Sequence, residues 1–211
     1  MNFTREEWER CLIARHGSGT HLKLQSACVA VCGLGGMGSN VAYALSRAGI
    51  GKLILIDCDR VDLSNLHRQQ YKACQIGQTK AAALSENIKE IAPFVEIASH
   101  TVRMDESNIK PLCEEADIIC EAFDNAQSKA MLVNFVLSYM PDKYIIASSG
   151  MAGFESANLI KTRKITDRFY LCGDGKTDVD SGTGLISSRV TVCAAHAAHA
   201  IICLIAGKPV I

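Results

Sequence analysis

Between residues 33 and 38 the chain reads GLGGMG, a G-x-G-x-x-G placed directly after an apolar run and directly before a helical pattern. Gly33, Gly35, Gly36 and Gly38 let the backbone turn tightly and approach a phosphate, while a helix N-terminus offers free N–H groups and partial positive charge. Asp57 ends the next apolar run, 19 residues after Gly38, where an acid would accept hydrogen bonds from a ribose. These residues call for a nucleotide without saying which. On the glycines alone an NAD-dependent oxidoreductase is the default reading, and a non-catalytic nucleotide-binding module is a second.

Residues 56–69, IDCDRVDLSNLHRQ, are dense in hydrogen-bonding groups. They stand just past the carboxyl end of a strand, where ligands of parallel sheets collect. Asn65, Arg68 and Gln69 fall within about one helical turn, so their side chains could converge on one ligand. Asp59 lies in the same segment, and Lys80 follows at the start of the next helix. Arg68 and Lys80 would present two cations to a triphosphate resting on the glycine loop. The cluster moves the reading toward ATP.

The elements that must position these groups alternate short apolar runs with helical patterns. Strands are expected over 28–32, 53–57, 94–98, 118–123 and 144–148, with helices over 38–48, 79–91 and 126–139. Gly49 is placed to stop the first helix and Pro93 lies beyond the second. Strands apolar throughout and separated by helices predict a Rossmann-like α/β fold, a mostly parallel sheet with helices on both faces. The last quarter changes character: short antiparallel strands over 154–161 and 168–172, a Gly/Asp-rich loop over 173–184, and a closing helix over about 187–205. One domain is expected across 1–211, with an N-terminal helical segment (1–26), a nucleotide-binding core (27–150) and an antiparallel extension, loop and closing helix (151–211).

Bulk properties narrow the classes. Lys plus Arg (22) equals Asp plus Glu (22), which argues against a dedicated nucleic-acid binder. The N-terminal residues mix Arg5, Glu6, Glu7, Glu9 and Arg10 without an apolar segment, unlike a signal peptide. The apolar stretch 185–206 is interrupted by Arg189, His196 and His199, so a buried helix is expected rather than a membrane span. Ten cysteines without one C-x-x-C pair suit reduced thiols buried as small hydrophobes in the cytoplasm. Among the cysteines Cys172, entering a Gly-rich loop, is the best candidate for a reactive thiol, but a structural role is the preferred reading. Cys193, His196 and His199 fan too widely around a helix for an unstrained metal site, and packing roles are preferred.

At GLGGMGS (33–39), IDCDRVDLSNLHRQ (56–69), GQTK (77–80) and FDN (123–125) the sequence resembles the ThiF/MoeB/HesA family, the bacterial relatives of ubiquitin-activating enzymes. The resemblance covers about residues 10–160 well and is most like the short ThiF-type members. It implies that the four glycines cradle ATP, that Asp57 holds the ribose, that Asn65, Arg68 and Lys80 grip the phosphates, and that Asp124 holds Mg²⁺. It also implies a homodimer in which an arginine ahead of the first strand reaches the partner's ATP, with Arg15 the nearest candidate. Three departures stand out. Lys129 occupies a position where the family usually has arginine, the paired C-x-x-C motifs of zinc-binding members are absent, and 151–211 leaves no room for a separate catalytic-cysteine domain. Zinc is therefore not expected.

The implied activity is adenylation of the C-terminal Gly carboxylate of a ubiquitin-like sulfur-carrier protein ending in Gly-Gly, with release of pyrophosphate, in thiamin-thiazole rather than molybdopterin synthesis. A carboxylate with a pKa of roughly 3.5 is already ionised at neutral pH, so no general base is needed. Charge neutralisation and alignment are what the site must supply. Within the family, a tRNA threonylcarbamoyladenosine dehydratase is the rival reading.

Overall fold

The computed structural model describes residues 3–178, 182 and 184–211. Two helices, α1 (Arg5–His16) and α2 (Ser18–Ser26), precede the sheet, followed by β1 (Cys28–Cys32), α3 (Gly36–Ala48), β2 (Lys52–Ile56), α4 (Lys80–Ile91), β3 (Glu96–His100), α5 (Ile109–Cys113), β4 (Ile118–Glu121), α6 (Ala126–Tyr139), β5 (Tyr144–Ser148), β6 (Lys161–Lys164), β7 (Phe169–Gly173) and α7 (Ser187–Ala206). The strand order is β3-β2-β1-β4-β5-β7-β6. All neighbours are parallel except the β6–β7 pair.

The unbroken apolar strands have a simple cause. Successive side chains point to opposite faces, and both faces are covered. Val29, Val31, Leu53 and Leu55 pack in one core with residues of α3, α4 and α7, such as Leu45, Leu84 and Ile201. Ala30, Cys32, Ile54 and Ile56 enter a second core with Ile109, Leu132 and Val136 of α5 and α6. Gly49 adopts a left-handed φ of 85° and ends α3, as the sequence predicts. At the N-terminus Thr4 and Glu7 form a capping box on α1, yet α1 buries none of its residues.

Several expectations shift: the strand expected over 94–98 runs from Glu96 to His100, and the one over 118–123 ends at Glu121. The strand expected over 154–161 lies instead at Lys161–Lys164, because Phe154 is 82% exposed and residues 157–159 form a short 3-10 turn. Its partner β7 pairs with β6 on one side and parallel to β5 on the other. It is therefore an interior strand, and the loop expected from residue 173 begins one residue later. Of that loop, residues 179–181 and 183 lie outside the described residues.

β1 must turn into α3 within a few residues, and the turn is closed by backbone contact. A Cβ on Gly38 would lie 1.8 Å from the Gly33 carbonyl oxygen, and one on Gly33 2.7 Å from that of Ala122. Gly33 also has φ 92°, a left-handed value that side chains resist. Gly38→Ala should cost about 1–3 kcal/mol through overpacking. A fall in Tm of at least about 3 °C by calorimetry is expected at this chain length; an unchanged Tm would contradict this close approach.

Candidate functional site

The carboxyl ends of β1, β2, β4 and β5 open into a cavity of about 600 Å³. Its floor is the glycine loop, with Gly33, Gly35 and Gly36 on the lining. Gly38 lies in the first turn of α3, where its missing side chain lets the helix close on the loop. Asp57, Asp59, Asn65, Arg68, Gln69, Lys80 and Asp124 all line the same space. The structure thus brings together every residue singled out for nucleotide binding except Gly38 and Arg15.

Local chemistry explains how each is held. Asp57 is buried at the end of β2, and its two oxygens accept the backbone N–H groups of Leu34 (2.6 Å) and Asp59 (2.7 Å), which ties β2 to the glycine loop. Lys80, at the start of α4, is buried and donates to Asp59 at 2.9 Å. That hydrogen bond holds the Asp59 carboxyl below its usual range, against a smaller opposing effect of burial. Ligand atoms of Asp57, Cys58 and Asp59 lie within 4.8 Å of one another, but the two aspartates are already engaged by these internal donors.

The segment carrying Arg68 and Gln69 is strapped to α3. Asn40 donates to the carbonyls of Gly36 (2.7 Å) and Arg68 (3.1 Å), Gln70 N donates to Ser39 Oγ (3.1 Å), and Tyr71 donates to the Leu34 carbonyl (2.7 Å). Arg68 and Gln69 consequently lie over the glycines: Arg68 Cγ is 3.5 Å from where a Cβ on Gly36 would be, and Gln69 Nε2 3.7 Å from one on Gly35. Arg68 Nε and Gln69 Oε1 are buried without a protein partner. Buried polar atoms seldom stay unpaired, and both side chains line the cavity, where a polar ligand would meet them. Burial lowers the Arg68 pKa and the charge of Asp124 opposes this, yet guanidinium stays protonated at neutral pH.

The β4–β5 side holds an ion pair absent from the sequence reading. Glu121 is 1% exposed, and Lys129 donates to both its oxygens at 3.1 Å, to the Ser148 carbonyl at 3.1 Å and to Ser148 Oγ at 3.4 Å. Glu121 also accepts Phe123 N at 2.7 Å, fixing the turn that presents Asp124. Burial raises the Glu121 pKa, and Lys129 acts against that. Only the lysine was legible beforehand, as a departure from a family arginine. Glu121 was hidden as one polar letter at the end of an apolar strand.

Residues 9–211 match the ThiF family. The chain belongs to the ThiF family. It is 36% identical over 122 residues to an adenylyltransferase and sulfurtransferase MOCS3 of Caenorhabditis briggsae, covering 57% of this chain and 30% of the relative. A sulfur carrier protein adenylyltransferase of Thermus thermophilus is 30% identical over 137 residues, covering 63% and 51%. The chain therefore aligns with about a third to a half of the length of these relatives. Its fold matches E. coli tRNA N6-threonylcarbamoyladenosine dehydratase in complex with ATP, with a TM-score of 0.85 at 19% identity over 95% of this chain and 94% of that one.

Within this ThiF-family chain two candidate residues stand apart from the cavity. Arg15 is exposed in the last turn of α1 and does not line it. Cys172 lies fully buried in β7, ahead of the loop and not in it, with its sulfur 3.6 Å from Thr162 Oγ1, which suits the preferred structural role. Burial pushes its thiol up to about 11, which removes the thiolate a reactive cysteine needs. Cys193 is buried as well, while His196 Nδ1 lies 3.0 Å from Thr162 Oγ1 and His199 Nε2 3.4 Å from Cys203 Sγ.

Two outcomes follow. A brief native alkylation at pH 8, read by peptide mass spectrometry, should label the exposed Cys11, Cys58 and Cys74 and spare Cys172 until the chain is unfolded. Lys129→Met leaves Glu121 buried and unpaired, at a cost on the order of 2 kcal/mol, below the roughly 3–5 kcal/mol typical of a fully buried pair because Lys129 keeps some exposure. The direction with pH is set by Glu121. Its folded pKa already lies above the unfolded value and rises further once the lysine is gone, so the ionised form destabilises the fold at high pH and protonation relieves it. Urea titration should accordingly show a larger loss at pH 8 than at pH 5.5.

Proposed function

We propose that this chain uses ATP to adenylate the C-terminal Gly carboxylate of a ubiquitin-like sulfur-carrier protein ending in Gly-Gly. The observation that carries the reading is the convergence of Arg68, Gln69, Lys80 and Asp124 on a glycine loop, with Arg68 Nε and Gln69 Oε1 buried and lacking protein partners. The named activities of the MOCS3 and Thermus relatives support it. In this reading Gly33, Gly35 and Gly36 carry the phosphates, Gly38 lets the helix approach them, and Asp57 and Asp59 face the ribose. Asn65, Arg68, Gln69 and Lys80 neutralise the triphosphate.

The chemistry is displacement at the α-phosphorus. A carboxylate oxygen forms a bond to phosphorus, the bond to the bridging oxygen breaks, and pyrophosphate leaves with that electron pair. The carboxylate is ionised already, so the residues supply alignment and charge rather than a base. Arg68 and the N-terminus of α3 stabilise charge on the equatorial oxygens. Asp124 suits Mg²⁺: it lies on the cavity wall, among the described residues its side chain accepts only a long hydrogen bond from Asn125 Nδ2 at 3.4 Å, and Mg²⁺ commonly rests on one or two carboxylates plus substrate phosphates. When bound, the ion would neutralise phosphate charge. We assign the pathway to thiamin-thiazole synthesis in the cytoplasm. A second copy would supply Arg15, which is exposed on α1, a helix that packs on its own chain only through partly buried residues such as Trp8.

The same cavity would serve a second acceptor, the carboxylate of threonylcarbamoyladenosine in tRNA. The near full-length fold match to the tRNA dehydratase favours including it, while zero net charge disfavours an RNA partner. ATP–pyrophosphate exchange dependent on a Gly-Gly carrier supports the first reading, and exchange dependent on modified tRNA supports the second. Arg68→Ala or Asp124→Ala should lower carrier-dependent exchange at least about tenfold through lost charge stabilisation. Wild-type exchange in both variants would remove them from these roles.

A further inference from the structure

Beyond the residues that touch the cavity, a second buried ion pair organises one of its walls. Asp174 and Arg189 are each only 4% exposed in their side chains, and neither lines the cavity. Asp174 follows β7 and Arg189 lies in the first turn of α7. Asp174 Oδ1 accepts the N–H groups of Lys176 (2.7 Å) and Thr177 (2.9 Å), and Oδ2 accepts Thr177 Oγ1 (2.8 Å) and Arg189 Nη2. Arg189 Nη1 donates to the Glu155 carbonyl. Burial works to raise the Asp174 carboxyl pKa, but these hydrogen bonds and the charge of Arg189 together hold it below its usual value.

Three chain segments meet at this pair. Asp174 N donates to the Gly150 carbonyl (2.9 Å), Gly175 N to that of Ser149 (3.0 Å), and Gly153 N to that of Gly184 (2.9 Å). Ala152 N donates to Thr177 Oγ1 at 3.0 Å. A Cβ on Gly150 would lie 2.1 Å from Asp174 Oδ1, so the segments are in direct contact. Gly150, Met151, Ala152, Thr177 and Leu185 then form the cavity wall over β5.

That wall is separate from the nucleotide side. The glycine loop, Asp57 and Asp124 lie over β1, β2 and β4, on one half of the strand order, and the β5–β7 half is left for the second reactant. Its lining at Gly150 and Ala152 has almost no side-chain bulk, which suits a slender acyl chain. We propose that Asp174 and Arg189 are positioning residues for the acceptor: their ion pair sets the wall along which the carboxylate-bearing chain is laid. This rests on the adenylation reading above. A buried pair is costly to desolvate and no guarantee of stability; its effect here is to fix three loops at once.

Asp174→Asn keeps the size while removing the charge, and Arg189→Lys keeps the charge but cannot reach both partners. With a purified ubiquitin-like carrier ending in Gly-Gly as probe, Asp174→Asn should raise the carrier KM at least about tenfold and leave the ATP KM within about twofold. Arg189→Lys should fall between that variant and wild type. Hydrogen exchange at the Ala152 and Thr177 amides should accelerate at least about tenfold in Asp174→Asn. A wild-type carrier KM, or a parallel rise in both KM values, would overturn the proposal. Should the wild-type chain itself show no carrier-dependent exchange, the adenylation reading fails, and hydrogen exchange alone decides: unchanged amides at 152 and 177 overturn the pair's role.

Discussion

The contact between Gly38 and the Gly33 carbonyl is the constraint on which the cavity rests. It brings the first turn of α3 against the end of β1 more closely than any side chain permits. The helix N-terminus then opens directly beneath the space where Arg68 and Gln69 project, because Asn40 and Ser39 of that same helix hold the Arg68–Gln70 segment. Asp57 completes the arrangement by binding Leu34 N from the neighbouring strand. Separate the loop from the helix and the cations lose their common target.

Around that point charged groups are used in two ways. Polar atoms belonging to Arg68 and Gln69 are left buried and unpaired, a cost that a polar ligand would offset. Lys80 with Asp59, Glu121 with Lys129 and Asp174 with Arg189 are paired within the protein, although Arg189 Nε is itself buried without a partner. Charge thus serves recognition at Arg68 and architecture at these pairs.

The sequence disclosed the first kind far better than the second. Apolar strand runs such as CVAVC revealed a sheet buried on both faces, since alternation into two cores leaves no polar position. The glycine loop and residues 56–69 were legible because ligand-facing groups cluster locally along the chain. Glu121–Lys129 and Asp174–Arg189 join residues 8 and 15 positions apart through tertiary contact, and nothing in a single letter announces such a partner. Cys172 stood at the boundary between an expected strand and an expected loop, and its parallel pairing with β5 settles it in the strand. Phe154 did mislead, an apolar residue that faces solvent.

The pairing of each cavity lysine with a carboxylate has a chemical consequence. A mixed anhydride of acid and phosphate is an acylating agent, and a free amine beside it would capture the acyl group in a stable amide. Lys80 commits its ammonium to Asp59, and Lys129 directs its own toward Glu121 and Ser148. Both are held in ion pairs beside the space where, in the proposed reaction, such an anhydride would form. In that reaction the carboxylates that hold these cations in place would also keep the protein from becoming its own substrate.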